Sequence, residues 1–523
     1  MTALESPDLG AVSLEDATTQ DCRLAPPDWS VRDRLEIRWR LRLLIAVDLV
    51  VSVWYFGWLL QPSRVGNPLL YGLLIGAELF NFLQALGFWW TAVSERHRAT
   101  PAASVTAAVD VLIPVYNEPV EIVEPTVLAA SKLQGAVVHL LDDGKSAEMQ
   151  ALAARTGVHY VRRPTSGGAK AGNLNYAIGT TTAPYIAVVD CDHVVRPNFL
   201  EATLPHLADP QVAFVQTPQY YANAHTNPVA RSSWAQQALF FGRIARGKDG
   251  LGSMFCCGTN VVFRREALEQ VGGFPESSLT EDFELSLRLH ERSWRSVYVP
   301  EVLASGLGPE DMGSYVSQQL RWARGCLSSI PVILRSRLPF TKRLQYLLSA
   351  SFFLSGWTFL VYMIFPVVRI FAGAQPLSTA TASQFLVHFA PYFGLSLLTV
   401  AAAGGGAYTF GAYSLLIANF WIHIVSSIMV ALRRRGSFVV TSKQGTRARQ
   451  PRAVLPALMM IVVLVSAMAW GLAHSRSPAT VNNVAFAGLH TMVLLAGAWP
   501  ALEGARLASG AETVTSEELE SAA

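Results

Sequence analysis

Three sets of acidic and amide side chains end apolar runs in the middle of this 523-residue chain: Pro114-Val115-Tyr116-Asn117-Glu118-Pro119, Leu141-Asp142-Asp143-Gly144 and Val189-Asp190-Cys191-Asp192-His193. Any one of them could be a turn former or a helix cap. Three in this order put oxygen ligands along one rim. Asp190 and Asp192 flank a single residue, so at least one carboxylate can face a hard divalent cation, Mg2+ or Mn2+, which takes oxygen ligands and keeps positions open for phosphate oxygens. Such a cation would compensate the charge of a departing diphosphate. The run Gly167-Gly168-Ala169-Lys170-Ala171-Gly172-Asn173 permits close backbone approach and offers one ammonium to a phosphate. It lacks the Gly-Lys-Ser/Thr ending of a P-loop, so ATP hydrolysis has no support. Farther along stand Phe255-Cys256-Cys257-Gly258-Thr259-Asn260, Thr280-Glu281-Asp282 and Gln318-Gln319-Leu320-Arg321-Trp322. Asp282 is the candidate general base, although Thr280-Glu281-Asp282 also reads as the start of a helix, with Thr280 as its N-cap. Arg321 can fork onto a diphosphate, and Trp322 offers an aromatic face against which a sugar can stack.

The elements that must hold these groups are short β-rich runs alternating with helical ones between about Thr100 and Ser336. Strands are expected at Ala108 to Pro114, Ala136 to Leu141, Val158 to Val161, Tyr185 to Val189 and Val212 to Gln216. Alternating strands and helices imply a parallel sheet covered on both faces, with ligands at the carboxyl ends of the strands. The rest of the chain is too apolar for an ordinary soluble enzyme, with 51% hydrophobic and 15% charged residues. Six stretches are long enough to span a bilayer: Leu43 to Leu60, Leu69 to Trp90, Tyr346 to Ala372, Phe385 to Ala403, Val454 to Ala473 and Val484 to Leu502. Basic residues crowd before the first span and along Arg433 to Arg452, which puts both regions, and the catalytic segment with them, on the cytosolic side. Tyr408 to Leu432 is then an amphipathic helix in the cytosolic interface. Asp48, Glu78 and Arg369 fall within spans, either as capping and snorkelling groups or as a polar lining for a translocated chain.

Taken in order, the motifs resemble the processive branch of glycosyltransferase family 2, whose D, D, D, Q-x-x-R-W signature maps to Asp142 or Asp143, Asp190 with Asp192, Asp282, and Gln318, Arg321 and Trp322. The strings Phe-x-Cys-Gly-Thr-Asn and Asp-Cys-Asp-His-Val are similar to the cellulose synthase catalytic subunit, and Phe438-Val439-Val440-Thr441-Ser442-Lys443 resembles its gating loop. The resemblance implies an α/β GT-A domain, Rossmann-like and nucleotide-sugar-binding, inserted in an α-helical transmembrane bundle. It also implies inversion of an α-linked UDP-sugar, most simply UDP-glucose, to extend a β-glucan that crosses the plasma membrane. By it, Asn117, Glu118, Asp142, Asp143, Lys170, Arg321, Phe438 and Thr441 surround the UDP-sugar. Gln318, Trp322, Cys257, Gly258 and Thr259 meet the acceptor, Asp190 and Asp192 hold the metal, and Asp282 is the base.

The expected organisation is a disordered cytosolic tail over 1–30, an amphipathic start and transmembrane hairpin over 31–99, and the catalytic domain over 100–336. Transmembrane helices three and four follow over 337–407, the interfacial helix and gating loop over 408–453, helices five and six over 454–502, and a second cytosolic tail over 503–523. Expected partners are the UDP-sugar, the growing glycan and membrane lipids, with room for an accessory subunit outside. The net charge of +3 gives no argument for nucleic acid, and the five cysteines lack metal-ligand spacing. No cyclic-di-GMP-binding domain follows Leu502, and two spans precede the catalytic region where the bacterial cellulose enzymes have four, so direct cyclic-di-GMP control is not expected. A curdlan, mannan or hyaluronan-type synthase and a single-addition lipid transferase share most of these motifs; a transporter with a nucleotide-binding domain does not need Asp282. The sidedness gives a direct expectation: a cysteine at Ser442 is labelled by an impermeant thiol reagent in inside-out vesicles and is silent in intact cells. Labelling from outside alone would overturn the assignment.

Overall fold

The computed structural model describes residues 31–96, 101, 107–378, 381–404, 408–434 and 449–503, with side chains from Trp39 onward in the first helix. Phe438 and Thr441, and the expected gating loop with them, lie outside the described residues. The strands are β1 (Val109–Val115), β2 (Ala136–Asp142), β3 (His159–Val161), β4 (Tyr185–Val188), β5 (Val194–Val195), β6 (Val212–Gln216), β7 (Tyr220–Tyr221), β8 (Val261–Arg264), β9 (Arg295–Tyr298) and β10 (Ala304–Gly306). Seven of them form one sheet in the order β3-β2-β1-β4-β8-β6-β9, and β5-β10-β7 form a small second sheet.

Strand β1 shows why the sequence folds this way. It is apolar at almost every position because both faces are covered: Val109, Val111, Ile113 and Val115 enter one core, and Leu112 enters the other. In β4, Tyr185 and Ala187 face the first core while Ile186 and Val188 face the second. Each fully buried Leu or Ile contributes up to about 1.5–3 kcal/mol, so these strands anchor the sheet. The expected purely parallel sheet is corrected in one respect. β1, β2, β3 and β4 pair in parallel, as do β6 and β9, but β8 runs antiparallel to both β4 and β6. β8 is only four residues long and follows directly on the Phe255–Asn260 loop, so it carries too little periodicity to be read as a strand in advance.

Among the described residues, six helices are long and apolar enough to cross a membrane, Trp39–Leu59, Pro68–Val93, Phe340–Ala372, Ser383–Ala403, Pro451–His474 and Pro478–Glu503, or up to seven if a bent pair counts as one span. That pair, Phe410–Ala418 and Phe420–Ala431, occupies the stretch expected as one interfacial helix and bends by 44°. At the bend, Asn419 turns its own amide back onto the Leu415 carbonyl at 2.9 Å. The third span is also broken, by a short turn Phe352–Leu354 between Phe340–Ser351 and Ser355–Ala372. Of the charged residues in spans, Arg369 caps its helix end, its Nη1 donating to the Gly373 carbonyl at 3.0 Å. Asp48 is instead fully buried and accepts from Ser396 Oγ at 3.2 Å, while Glu78 meets the hydroxyls of Tyr362 and Tyr392.

The sheet domain is fastened to these helices by the segment Phe240–Gly250, a turn of π-helix followed by the helix Ala245–Gly250. Glu95, just past Pro68–Val93, accepts from Arg243 at 2.8 Å and Arg246 at 3.2 Å. Lys248 is buried and donates to the Gln345 carbonyl and side-chain oxygen, both at 3.1 Å, and burial alone pushes its ammonium down to about 7. The backbones come so close that a Cβ at Gly247 would lie 2.0 Å from the Thr91 carbonyl oxygen. Gly247→Ala is therefore expected to cost about 1–3 kcal/mol of stability by overpacking, read as a lower thermal unfolding midpoint of the detergent-purified protein. An unchanged midpoint would show that the two elements separate freely.

Candidate active site

The carboxyl ends of β1, β2 and β4 lie side by side because these strands are neighbours in register, Val115 opposite Asp142 and Leu112 opposite Val188. The three acid and amide sets expected on one rim are thus brought together. Asn117, after β1, sits at φ +61°, a conformation that asparagine tolerates better than most residues. It packs so tightly on Gly144 that a Cβ there would meet Asn117 Oδ1 at 2.5 Å, which accounts for the glycine after Asp142-Asp143. Glu118 turns back to accept from the Tyr116 amide at 2.5 Å.

The two aspartates after β2 differ in what they hold. Asp142 accepts from the Lys145 amide at 2.9 Å, the Ser146 amide at 2.7 Å and the Tyr160 hydroxyl at 2.8 Å. Burial, then this contact with Asp142, pushes the Tyr160 hydroxyl up to about 12. Asp143 is gripped by the guanidinium of Arg163. Neither Tyr160 nor Arg163 was singled out in the sequence. The available signal was Arg162-Arg163 directly after an apolar run, one strand away from a pair of buried acids.

Lys170 is where the groups converge. Its ammonium pairs with Asp190 and donates to the Gly258 carbonyl at 2.9 Å. Burial works against that charge, but Asp190 and Glu281 outweigh it and hold the ammonium above its usual range. The Asp190 amide in turn donates to Thr259 Oγ1 at 2.8 Å, which joins the strand-end acids to the Phe255–Asn260 loop. Within that loop the Cys257 amide donates to Gln216 Oε1 at 2.8 Å, and Gly258 has φ +82°. A Cβ at Gly258 would stand 3.1 Å from Asp282 Oδ2, so Asp282 lies directly behind the glycine.

Asp282 lies in the first turn of the helix Glu281–Glu291 and accepts from the Phe283 amide at 2.7 Å. Thr280 stands at the N-cap as expected, but its hydroxyl makes no capping bond and is buried without a partner, its side chain packing where Gly325 leaves room. Burial first, and the neighbouring charge of Glu281 second, push the Asp282 carboxyl up to about 7, against the Phe283 amide, Arg321 and Lys170. Gln318, Arg321 and Trp322 share one face of the helix Met312–Arg335, at spacings of three and four residues, and all are partly buried. Arg321 is close enough to act on Asp282 electrostatically.

Asp190, Asp192 and His193 present ligand atoms within 4.8 Å of one another. The histidine was quoted in the sequence string but given no role. Its Nδ1 faces Asp192 Oδ1 at 3.2 Å, and its buried Nε2 has no partner. A Cβ at Gly306 would come within 2.4 Å of its ring, so the imidazole is held against β10. Two carboxylates and one imidazole, whose buried Nε2 has no partner, make a donor set for a divalent cation, the carboxylates being of the kind that suits magnesium or manganese.

The chain matches the family described as glycosyl transferase family group 2 over residues 185–496. It is 31% identical to cellulose synthase 1 of Komagataeibacter xylinus over 483 residues, 86% of this chain and 31% of that protein. It is 30% identical to the cellulose synthase 1 catalytic subunit [UDP-forming] of the same organism, over 82% of this chain and 61% of that one. The chain thus spans about a third to three fifths of the length of these relatives. Among solved structures, a mannosyltransferase from Pyrobaculum calidifontis, in complex with GDP-Man and Mn2+, superposes with a TM-score of 0.54 at 17% identity, over 70% of this chain and 99% of that one. At that identity the likeness is one of fold, the GT-A arrangement.

The raised Asp282 carboxyl has a consequence for stability. Unfolded aspartate titrates near ~4, and the folded group near about 7. Between those values the folded protein keeps a proton that the unfolded chain releases, so this group's contribution to stability falls as pH rises through the window. Asp282→Asn, which cannot ionise, is expected to raise the thermal unfolding midpoint at pH 8, with the gain shrinking at pH 5. An equal midpoint for both proteins at pH 8 would remove the burial argument.

Proposed function

Glycosyl transferase family group 2 is the family to which this chain belongs, and from that premise we propose that it is a processive, inverting β-glycosyltransferase that polymerises a UDP-sugar, UDP-glucose first among them, into a β-glucan such as cellulose and passes it across the plasma membrane, with the catalytic domain on the cytosolic side. The observation that carries this reading is the single contact network in which Lys170 bridges Asp190 and Gly258 while Asp282 stands behind Gly258. A phosphate-seeking ammonium, a strand-end metal acid, an acceptor loop and a carboxyl titrating near about 7 then face one another. The names of the relatives, cellulose synthase and its UDP-forming catalytic subunit, support the donor and the product.

In this reading the acceptor hydroxyl oxygen attacks the anomeric carbon while Asp282 takes its proton, and the bond from that carbon to the diphosphate oxygen breaks with its electron pair going to UDP. A carboxyl with a pKa near the working pH is suited to such a transfer. Lys170 and Arg321 answer the negative charge that grows on the leaving diphosphate, an interaction stronger in the transition state than in the ground state. Asp190, Asp192 and His193 would hold a divalent cation, which when bound neutralises part of the same charge. Trp322, on the face shared with Gln318, would lie beneath the acceptor sugar, and Asn117, Glu118 and the Asp142-Asp143 pair would border the nucleoside. Phe438 and Thr441 would close over the nucleotide from the loop that follows the bent helix pair.

The test uses membranes carrying the full chain, radiolabelled UDP-glucose and Mg2+ or Mn2+, with the product analysed by linkage-specific glucanases. Expected are a β-glucan from the wild type, its loss in excess chelator with recovery on metal addition, and a drop of about 10²–10⁴-fold for Asp282→Asn with UDP binding retained. Polymer made at the wild-type rate by Asp282→Asn, or in full chelator, would sink the mechanism; polymer formed only from another UDP-sugar would change the product.

A further inference from the structure

Arg163 stands outside every role assigned above, yet its guanidinium makes four hydrogen bonds at the donor rim. Its side chain is 6% exposed. Nε donates to Asp143 Oδ1 and Nη2 to Asp143 Oδ2, the two parallel bonds of a carboxylate fork. The same guanidinium reaches forward in the chain: Nη1 donates to the Gly167 carbonyl, and Nη2 to the Ala169 carbonyl at 3.1 Å. Those two carbonyls bracket a strap with two successive left-handed residues, Gly168 at φ +68° and Ala169 at φ +47°.

A left-handed alanine costs on the order of 1–2 kcal/mol and persists only where its surroundings hold it. Here the guanidinium supplies that hold from one side, and the first turn of the helix Ala169–Thr180 supplies it from the other. A Cβ at Gly172 would strike the Gly167 carbonyl oxygen at 2.1 Å and Arg163 Nη1 at 2.6 Å. The residue after the strained alanine is Lys170. Where the strap goes, the Lys170 ammonium goes, and with it the contacts to Asp190 and Gly258.

We propose that Arg163 is a positioning residue that couples the nucleoside end of the donor site, through Asp143, to its diphosphate end, through the Gly167–Ala169 strap and Lys170. The inference rests on the donor reading above. Its physical content is that one rigid fork fixes two loops that a nucleoside diphosphate must touch at once. A lysine could pair with Asp143 but could not also reach both strap carbonyls, because its donors radiate from one nitrogen rather than spreading over a plane. Arg163 acts through Lys170, so removing either should remove the same interaction.

The experiment is a double-variant cycle on the full chain in lipid nanodiscs, with UDP as the probe, measured by competition against the donor, and with the thermal midpoint recorded for each protein. Arg163→Gln and Lys170→Gln are each expected to weaken UDP about tenfold or more, the loss of a charge-assisted contact. The double variant is expected to be no more than about threefold worse than the weaker single one, because both changes break one chain of contacts. Effects that multiply in full, or wild-type UDP affinity in Arg163→Gln, would overturn the proposal. Should Arg163→Gln fail to fold, Arg163→Lys decides: it keeps the ion pair but leaves the strap carbonyls unheld, so reduced UDP affinity supports the proposal and unchanged affinity refutes it. A wild-type protein that binds no UDP would instead overturn the donor reading, and this inference with it.

Discussion

Negative charge held at the buried edge of a sheet is the constraint from which the rest of this site follows. A carboxylate taken out of water must find donors or a cation, or else keep its proton. All three solutions occur along one rim. Asp142 is satisfied by two backbone amides and a phenol, Asp143 by a guanidinium, Asp190 by an ammonium, and Asp282 by a single amide and a raised affinity for its proton. The differences sort the acids by what they remain able to do. Asp142 and Asp143 are occupied in building loops, whereas burial and the charge of Glu281 push the Asp282 carboxyl up to about 7. Asp190 is held by an ammonium that also donates to the Gly258 carbonyl.

The helix Glu281–Glu291, which carries Asp282 in its first turn, is tied to more than the site. His290, near its other end, hydrogen-bonds the Tyr346 hydroxyl at 2.8 Å and Ser296 Oγ at 3.1 Å, and burial pushes its imidazole down to about 3, so it serves as a neutral connector. Tyr346 belongs to the helix Phe340–Ser351, which also receives Lys248 at Gln345. The Asp282 helix and the Phe240–Gly250 segment therefore both end on the same membrane-proximal helix. That helix thus joins the element carrying Asp282 to the segment that fastens the sheet domain to the long apolar helices.

Much of this was legible in the sequence, and the omissions have physical reasons. Strands β1, β2, β4 and β6 fall within a residue of where hydrophobic runs and their terminating acids put them, because burial on both faces forces continuous apolar sequence. The membrane helices were equally plain, since twenty apolar residues have few other uses. Strand β8 escaped because four residues carry no period, and its antiparallel direction is set by the loop before it rather than by its own composition. The breaks at Phe352–Leu354 and Asn419 escaped because neither interrupts the apolar run: the first is a short turn within it, and at the second a single Asn turns its side chain back onto the Leu415 carbonyl. Among site residues, those identified carry chemistry that a reaction needs. Arg163, Tyr160 and Gln216 were missed because they hold other residues, and holding leaves no motif.

That distinction explains why glycines, rather than further polar groups, punctuate the site. Gly144, Gly172, Gly258 and Gly306 each stand where a Cβ would strike a functional or supporting side chain or its loop. Polar groups from several strand ends crowd together there, and the space for that is taken from backbone positions that carry no side chain of their own. At Gly258 the two demands meet most closely. Its carbonyl receives Lys170, its α-carbon faces Asp282, and its left-handed φ turns the peptide so that both are possible. A side chain there would crowd the Asp282 carboxylate, which ties the backbone conformation of the Phe255–Asn260 loop to the placing of Asp282.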